Sequence, residues 1–204
     1  YLLAIYDLSF DADTGRDCAT LIPKRTLAEM LHFLTGDDEE EVELRIDESQ
    51  IEFRTRFYTV KSRLLAGQFP NIERVIELVG QNEQVVSVSR NPLIETLKRT
   101  EIVARDDAHR FKWQITGTEL CLSAQALDLG ESADILEICG PSTPDDISLW
   151  FRADQMLEAL QAFDSETVSF LYQSPQRPLL MFPPEGAYFE ILMPVVAPED
   201  GGSA

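Results

Sequence analysis

The stretch 64–76, which reads LLAGQFPNIERVI, decides how this chain is divided. A strand-like pattern ends at Arg63, and Ala66-Gly67 interrupts it. Phe69-Pro70 then favours an extended backbone, because proline biases the preceding residue away from the helical region. None of these residue types suggests a nucleophile, a metal ligand or a phosphate cradle. The stretch is predicted to be a structured crossing between two folded bodies, with an apolar surface edged by Arg74, and it indicates binding and not catalysis.

Length and composition limit the class of protein. With 204 residues the chain can form one large domain or two modest ones. An apolar content of 44% is typical of a folded protein. The chain has no run of about 18 apolar residues, so no transmembrane helix is predicted. The chain starts at Tyr1, with neither Met nor a basic region, directly inside an apolar strand pattern at 2–5. This start predicts that there is no signal peptide and that the upstream part of a larger protein is missing.

Cysteine and histidine usage gives little support for site chemistry. The three widely spaced cysteines, at positions 18, 121 and 139, argue against a disulfide framework and a zinc site. They fit a reducing cytosol, so a cytoplasmic protein is expected. The two histidines, His32 and His109, are expected to be structural or surface residues. No metal and no cofactor is predicted.

The net charge of −19 argues against nucleic acid as a partner unless the charges are unevenly distributed. The acidic run 37–41 is expected to be a solvated loop, since no glycine-spaced calcium pattern accompanies it. Seven of the 17 cations lie on or beside predicted helices: Lys24, Arg25, Arg90, Lys98, Arg99, Arg105 and Arg152.

Three segments have the apolar spacing of amphipathic helices. The first covers 24–34 and stops at Gly36; its apolar positions are Leu27, Met30, Leu31 and Leu34. The second begins at Asn91-Pro92, an N-cap residue followed by proline in the first turn. The third covers 153–163. A period of two predicts strands near 2–5, 42–46, 51–53, 58–60, 111–115, 120–122, 135–139, 168–172, 179–182 and 188–193.

The chain repeats one unit, which is a short strand, a helix and then three strands. Each unit places one amphipathic helix against an antiparallel sheet, which predicts the α+β class. Two units can share a core, so 79–196 is predicted to form one complete domain, and 1–78 the second half of another. The tail 197–204 has no apolar pattern and is expected to be disordered.

Three motifs, in this order and on this repeat, resemble the bacterial beta sliding clamp family over 1–196. They are Leu21-Ile22-Pro23-Lys24, Gly67-Gln68-Phe69-Pro70 with Arg74-Val75, and Ile191-Leu192-Met193-Pro194-Val195. Arg177-Pro178 before the penultimate strand also fits the family. The resemblance implies the DNA clamp fold, in which three similar domains per subunit close head-to-tail as a homodimeric ring around duplex DNA. The chain would then be the second half of clamp domain 2 and all of clamp domain 3. It also implies a processivity factor that is not catalytic.

The resemblance further implies a pocket between domains 2 and 3 that holds short Gln-, Leu- and Phe-containing peptides. Such peptides would belong to the replicative polymerase, the clamp loader and repair proteins. The positions that match this client-peptide pocket are Leu3, Pro70, Arg74, Val75, Arg152, Gln155, Ile191, Leu192, Met193 and Pro194. Tyr1-Leu2 replaces a usual His-Arg pair, and Arg152 and Gln155 replace a frequent Asn and Tyr, which bears on partner preference.

Two further sets of residues follow from the resemblance. Ile102, Val103, Glu131 and Asp134 match the dimer seam of the family. Lys24, Arg25, Lys98, Arg99 and Arg105 lie on helices that would face DNA, and they would contact phosphates without reading sequence. No membrane contact is implied.

Two other interpretations remain open. The chain can be a clamp paralogue or fragment that acts only as a peptide-binding module. It can also be an acidic α+β hydrolase that uses Asp106-Asp107 or Asp145-Asp146 as paired carboxylates. The hydrolase is disfavoured because no His, Lys or Tyr partner is evident beside either pair.

Overall fold

The computed structural model describes residues 2–6, 19–34, 41–69, 71–126, 128, 130–140 and 146–198. The predicted tail therefore lies outside the described residues from 199 onward, as do Pro70 and Asp145. The chain divides into two compact units. The larger comprises Tyr1–Phe10 and Glu73–Ala204, and the smaller comprises Asp11–Ile72.

Helices and antiparallel strands alternate through the described residues, which confirms the predicted α+β class. The helices are α1 (Lys24–Phe33), α2 (Ile72–Val79), α3 (Arg90–Ala104) and α4 (Ala153–Gln161), with a 3-10 turn at Arg105–Asp107. The first strands are β1 (Leu2–Tyr6), β2 (Glu43–Ile46), β3 (Gln50–Arg54), β4 (Thr59–Arg63), β5 (Gln84–Ser89) and β6 (Arg110–Thr116). The others are β7 (Glu119–Ala126), β8 (Gly130–Cys139), β9 (Ile147–Arg152), β10 (Thr167–Tyr172), β11 (Leu179–Phe182) and β12 (Tyr188–Leu192).

The smaller unit packs α1 against the antiparallel sheet β2-β3-β4. Its core is small, and the buried apolar side chains of this cluster are Met30, Ile51 and Phe53. The polar turn between β2 and β3 is closed by Asp47, whose carboxylate accepts the backbone N–H groups of Ser49 and Gln50, both at 2.7 Å. The turn therefore fixes the register of a hairpin whose strands expose most of their side chains.

Helix α1 buries less of its predicted apolar face than the sequence suggests. Only Met30 of the four predicted positions is buried, together with Thr26, while Leu31 is 72% exposed and Leu27 is also exposed. Leu34 lies just past the end of the helix and is half-buried. The buried residues Thr26 and Met30 are four positions apart, so the short strands β2, β3 and β4 cover only a narrow stripe of the helix. An apolar surface therefore remains on α1.

The larger unit is built on a nine-stranded sheet in the order β1-β12-β11-β10-β5-β8-β7-β6-β9. Its core includes Leu93 and Leu97 from α3 and Leu160 from α4, all fully buried. Trp113 lies within this core, with its ring centroid 4.8 Å from that of Phe170. Burial of these large side chains is the main source of stability.

The structure corrects the sequence-based assignment at three places. The crossing 64–76 ends in helix α2, which was not predicted although Ile72, Val75, Ile76 and Val79 follow the i, i+3, i+4, i+7 spacing. Helix α3 begins at Arg90 with Ser89 as its N-cap residue, two residues before the predicted N-cap Asn91 and first helical residue Pro92. Strands β5 and β9 are the short strands that the recurring unit predicts before a helix, but their bounds were not predicted, because the periodicity changes from strand to helix there.

Candidate partner-binding sites

At one end of the large sheet, the first strand of the chain, β1, pairs with the last strand, β12. Leu3 of β1 lies opposite Ile191 of β12, and Ile191 lies opposite Leu180 of β11. Side chains alternate across a strand, and Leu192 is part of the core. Leu3, Ile191 and Leu180 therefore form an apolar row on the face that points away from the core. Ile191 is buried, whereas Leu3 is half-buried.

The segment after β12 leads from this row to β9. Met193 and Pro194 are half-buried, and the backbone N–H of Val195 donates to the carbonyl of Trp150 at 2.8 Å. Trp150 lies in β9, two residues before Arg152, after which α4 begins. The hydrogen bond thus brings the strand that contains Ile191 and Leu192 near the predicted pocket residues Arg152 and Gln155.

Arg152 and Asp154 form a forked ion pair at the start of α4. The guanidinium Nε and Nη2 lie 3.0 and 2.5 Å from the two carboxylate oxygens. The Arg152 guanidinium holds the pKa of Asp154 below its usual range. The Oε1 atom of Gln155 is buried and accepts no hydrogen bond from any described residue. Arg152 is therefore held in place, whereas the side-chain oxygen of Gln155 is a buried acceptor with no partner among the described residues.

Helix α2 contributes Arg74, which is exposed, and Val75, which is half-buried. Asn82 connects this helix to the sheet end. Its backbone N–H donates to Val79 at the end of α2, at 2.9 Å, and its side-chain amide donates to the carbonyl of Pro178 at 2.8 Å. Pro178 immediately precedes β11, the neighbour of β12. The described members of the predicted pocket thus belong to elements linked by backbone pairing or by single hydrogen bonds.

The sequence did not single out Asn82 or Glu190, although both lie beside these elements. Asn82 gives no signal, because its partners are about ninety positions away. Glu190 is 2% exposed; Tyr188 donates a hydroxyl hydrogen bond to one of its carboxylate oxygens, and the other oxygen has no described partner. Burial raises the pKa of Glu190. The alternation of Tyr188, Glu190 and Leu192 on one face could have revealed this buried carboxyl.

A second candidate site is the outer edge of β8. Residues 130–137 pair with β7 on one side, and only Ile138 and Cys139 pair with β5 on the other. Ile135 is 62% exposed on this strand, and Ile102 near the end of α3 is 58% exposed. An edge with unpaired backbone groups and exposed apolar side chains can accept another strand. Of the other predicted seam residues, Val103 packs against the core, Glu131 is exposed and Asp134 is half-buried.

The predicted DNA-facing cations are all exposed, and two of them are ion-paired. The Nη2 atom of Arg99 lies 3.3 Å from Oδ1 of Asp134, a residue of the predicted dimer seam. The Nη2 atom of Arg105 lies 3.2 Å from Oε2 of Glu101. Within the described residues, Lys24, Arg25 and Lys98 have no ion-pair partner. Part of the positive charge on α3 is therefore neutralised within the same chain.

The described structure gives little support for a hydrolase site, a metal site or a membrane-spanning helix. Asp107, one member of the Asp106-Asp107 pair, accepts hydrogen bonds from Arg110, and Asp106 is exposed. No three metal-ligating side chains converge anywhere in the part of the chain that the structure describes. None of the described helices is both long enough and apolar enough to cross a membrane.

Family comparison agrees with this architecture in both parts of the chain. The family model "DNA polymerase III beta subunit, C-terminal domain" matches 78–196, and the model "DNA polymerase III beta subunit, central domain" matches 1–71. The first match alone covers more than half of the 204 residues. The family resemblance inferred from the sequence motifs is confirmed.

Individual relatives match nearly the whole of this chain, but the match covers only about half of each relative. The chain is 24% identical over 199 residues to a beta sliding clamp of Staphylococcus aureus, which covers 95% of this chain and 50% of the relative. A sliding clamp from Bartonella birtlesii, solved bound to griselimycin, is similar in fold with a TM-score of 0.88 and 23% identity, over 96% of this chain and 52% of that one. A beta subunit from Thermotoga maritima gives a TM-score of 0.85 with 22% identity, over 97% and 52%. The chain spans about half the length of these relatives, and it belongs to the DNA polymerase III beta subunit family.

Proposed function

We propose that this chain is part of a ring-forming sliding clamp, the processivity factor of bacterial DNA replication. The ring would encircle duplex DNA and tether the polymerase, the clamp loader and repair proteins through short peptides. The pairing of Leu3 with Ile191 is the observation that favours this most, because it joins residues from the two ends of the chain in one apolar row. A role in bacterial replication would place the protein in the cytoplasm, and its action would be non-catalytic.

The proposed pocket comprises Leu3, Pro70, Arg74, Val75, Arg152, Gln155, Ile191, Leu192, Met193 and Pro194. In this pocket Ile191 would form a rigid apolar wall, and Leu192, which points into the core, would hold that strand in place, since both are buried. Met193 is half-buried and flexible, so it can adapt to different apolar anchors. Arg74 would pack its stem against the peptide while its guanidinium stays hydrated.

Titration of a labelled Gln-Leu-x-Leu-Phe peptide tests this pocket. We expect binding to the chain and a loss of about tenfold or more in Met193→Ala and Arg74→Ala, the usual range for anchoring contacts. Lys98→Ala is the matched control, because Lys98 is exposed on α3 and belongs to a different predicted set. If a chain shown to be folded by circular dichroism does not bind the peptide, the pocket assignment is wrong.

The β8 edge with Ile102, Val103, Glu131 and Asp134 is the proposed dimer seam. A strand of a neighbouring subunit would pair with residues 130–137 and cover Ile135 and Ile102. Size-exclusion chromatography of the longer parent protein, with and without Ile102→Asp, tests the seam. We expect the variant to elute as a monomer; an unchanged dimer would contradict the assignment.

The domain division is also a proposal: 1–78 would be the second half of clamp domain 2, and 79–196 clamp domain 3. The two family matches support it. The apolar surface left on α1, with Leu27 and Leu31 exposed, supports a half domain whose core is completed by another segment. Lys24, Arg25, Lys98, Arg99 and Arg105 would line the hole and contact phosphates weakly.

The ion pairs of Arg99 and Arg105 favour a second candidate, a clamp paralogue that binds peptides without encircling DNA. Both cations are already paired, and the net charge of −19 opposes a polyanion. Retention of the longer parent on circular but not on linear DNA would support the ring. Equal and negligible retention on both, with peptide binding intact, would support the paralogue.

A further inference from the structure

Strands β6 and β9 present cations on the side of the sheet that points away from the core. Phe111 and Trp113 of β6 and Phe151 of β9 are fully buried, so the residues between them point outward. Arg110 lies opposite Arg152, and Lys112 lies opposite Trp150. We call these four outward residues, Arg110, Lys112, Trp150 and Arg152, the basic face.

The basic face differs in charge from the rest of the chain. Acidic residues outnumber cations 36 to 17, yet three of the four residues of this face are an arginine or lysine. Like charges directly opposite each other on paired strands repel. Arg110 and Arg152 are each compensated by one carboxylate, that of Asp107 and Asp154 respectively. Lys112 has no ion-pair partner within the described ranges, so a positive charge is left for an external acid.

The position of the basic face connects it to the proposed pocket. The backbone of Trp150 accepts the hydrogen bond from Val195, which directly follows the pocket residues Met193 and Pro194. Arg152 belongs to both the pocket and the basic face. Helix α3 packs on the core side of β6, so Lys98 and the other α3 cations proposed to face DNA lie on the opposite side of this sheet. A peptide that extends beyond the pocket is therefore a better candidate for this face than the encircled duplex.

We propose that the basic face binds an acidic segment that flanks the docking peptide of a client. The proposal rests on the peptide-docking function proposed above and adds the chemistry of the partner. A carboxylate beside Lys112 would gain an ion pair, and one between Arg110 and Arg152 would reduce their repulsion. Trp150 would offer its ring as an apolar contact for the peptide chain.

Six labelled peptides test the proposal. Each has the same Gln-Leu-x-Leu-Phe core and one flank of three Asp, three Ser or three Lys residues, which precedes the core in three peptides and follows it in the other three. Exposed ion pairs contribute little individually, so we expect the acidic flank on one side to tighten binding about three- to tenfold at low salt. The gain should shrink in about 0.5 M salt, because the charges are screened. General repulsion by a chain of charge −19 predicts the opposite order, with the acidic flank weakest.

Two variants distinguish an effect of the basic face on peptide binding from an effect of the net charge of the chain. Lys112→Glu should abolish the preference for the acidic flank and leave the affinity for the serine-flanked peptide unchanged. Lys98→Glu makes the same change in charge on the opposite side of the sheet and should keep the preference. Lys112→Gln serves the same purpose if Lys112→Glu does not fold.

The possible outcomes are distinct. If the serine-flanked peptide binds but the acidic flank weakens binding or has no effect, the proposal is wrong and the docking pocket stands. If no peptide binds to the folded chain, both the pocket and the basic face are refuted. If Lys112→Glu weakens binding of a short DNA duplex while the acidic flank has no effect, the face binds nucleic acid and the peptide proposal is overturned.

Discussion

The edge of β12 and the edge of β8 belong to the same sheet but differ in what covers them. Strand β1 pairs with all five residues of β12, so that edge is complete within the chain. Strand β8 has ten residues, of which two pair with β5, and its remaining edge has no partner strand in the described structure. The side chains follow the same division, since Leu192 is fully buried whereas Ile135 is 62% exposed.

This difference separates residues that hold the fold from residues that are free to bind. A covered edge is part of the core, so substitutions there are expected to change the free energy of unfolding. An open edge contributes little to the stability of a single chain, and substitutions there are expected to change association instead. The four predictions below test this distinction, in order of decreasing effect on stability.

The largest effect is expected for Leu192→Ala at the covered edge. Truncation of a buried leucine costs about 2–5 kcal/mol of unfolding free energy. Urea denaturation followed by tryptophan fluorescence measures it, since Trp113 lies in the same core. Ile135→Ala at the open edge is the matched control, with an expected loss below about 0.5 kcal/mol. Equal losses in the two variants would abolish the distinction.

Glu190→Gln should have an intermediate effect that depends on pH. Burial raises the pKa of Glu190 above its unfolded value, so the folded state retains the proton to higher pH. The resulting stabilisation is complete below the unfolded pKa of about 4.3 and is lost as pH rises through the folded pKa. Glutamine cannot ionise, so the variant should gain on the order of 1 kcal/mol relative to the wild type near pH 8 and little near pH 4.

Thermal unfolding at several pH values checks the prediction for Glu190. Glu137→Gln on β8 is a suitable control, because Glu137 is exposed. A stability difference between Glu190→Gln and the wild type that stays constant from pH 4 to pH 8 would show that Glu190 does not titrate between the two states.

Ile135→Asp should leave the single chain within about 0.5 kcal/mol of the wild type, because the side chain is exposed. In the longer parent the same change should convert a dimer into monomers, since it places a charge in the proposed seam. Analytical ultracentrifugation of the parent, with denaturation of the isolated chain, measures both effects. A destabilised chain with an intact dimer would reverse the roles assigned to the two edges.

The smallest effect is expected for Asp134→Asn. Its ion pair with Arg99 is solvent-exposed, and such pairs contribute about 0.3 kcal/mol. Denaturation in low and high salt measures this. The change also releases Arg99, so retention of the parent on DNA should increase slightly, whereas Glu43→Gln in the other unit should have no such effect. Unchanged retention of a variant that is still a dimer would show that Arg99 does not face the duplex.

The sequence predicted those parts of the fold in which local periodicity and burial agree. Phe111, Trp113 and Ile115 alternate in the sequence and are fully buried in β6. Helix α2 was missed because its eight residues follow a Pro and an Asn that favoured a crossing. The family resemblance named the pocket positions, but local pattern could not pair Leu3 with Ile191 or join Asn82 to Pro178, since these contacts depend on the folded topology. The sequence also could not predict that Leu27 and Leu31 are exposed, because the spacing of apolar residues in a helix does not show how much of its face the sheet covers.

The pairing of β1 with β12 has a consequence for dissection of the protein. A fragment that begins at Glu73 would include every other strand of the large sheet but not β1, so the backbone groups of β12 would meet solvent or another molecule. Such a fragment is expected to self-associate through β12, or to require an added five-residue strand in trans to remain monomeric. The shortest self-sufficient version of this sheet is therefore discontinuous in sequence, and a β1 peptide added to the fragment that begins at Glu73 should bind to β12.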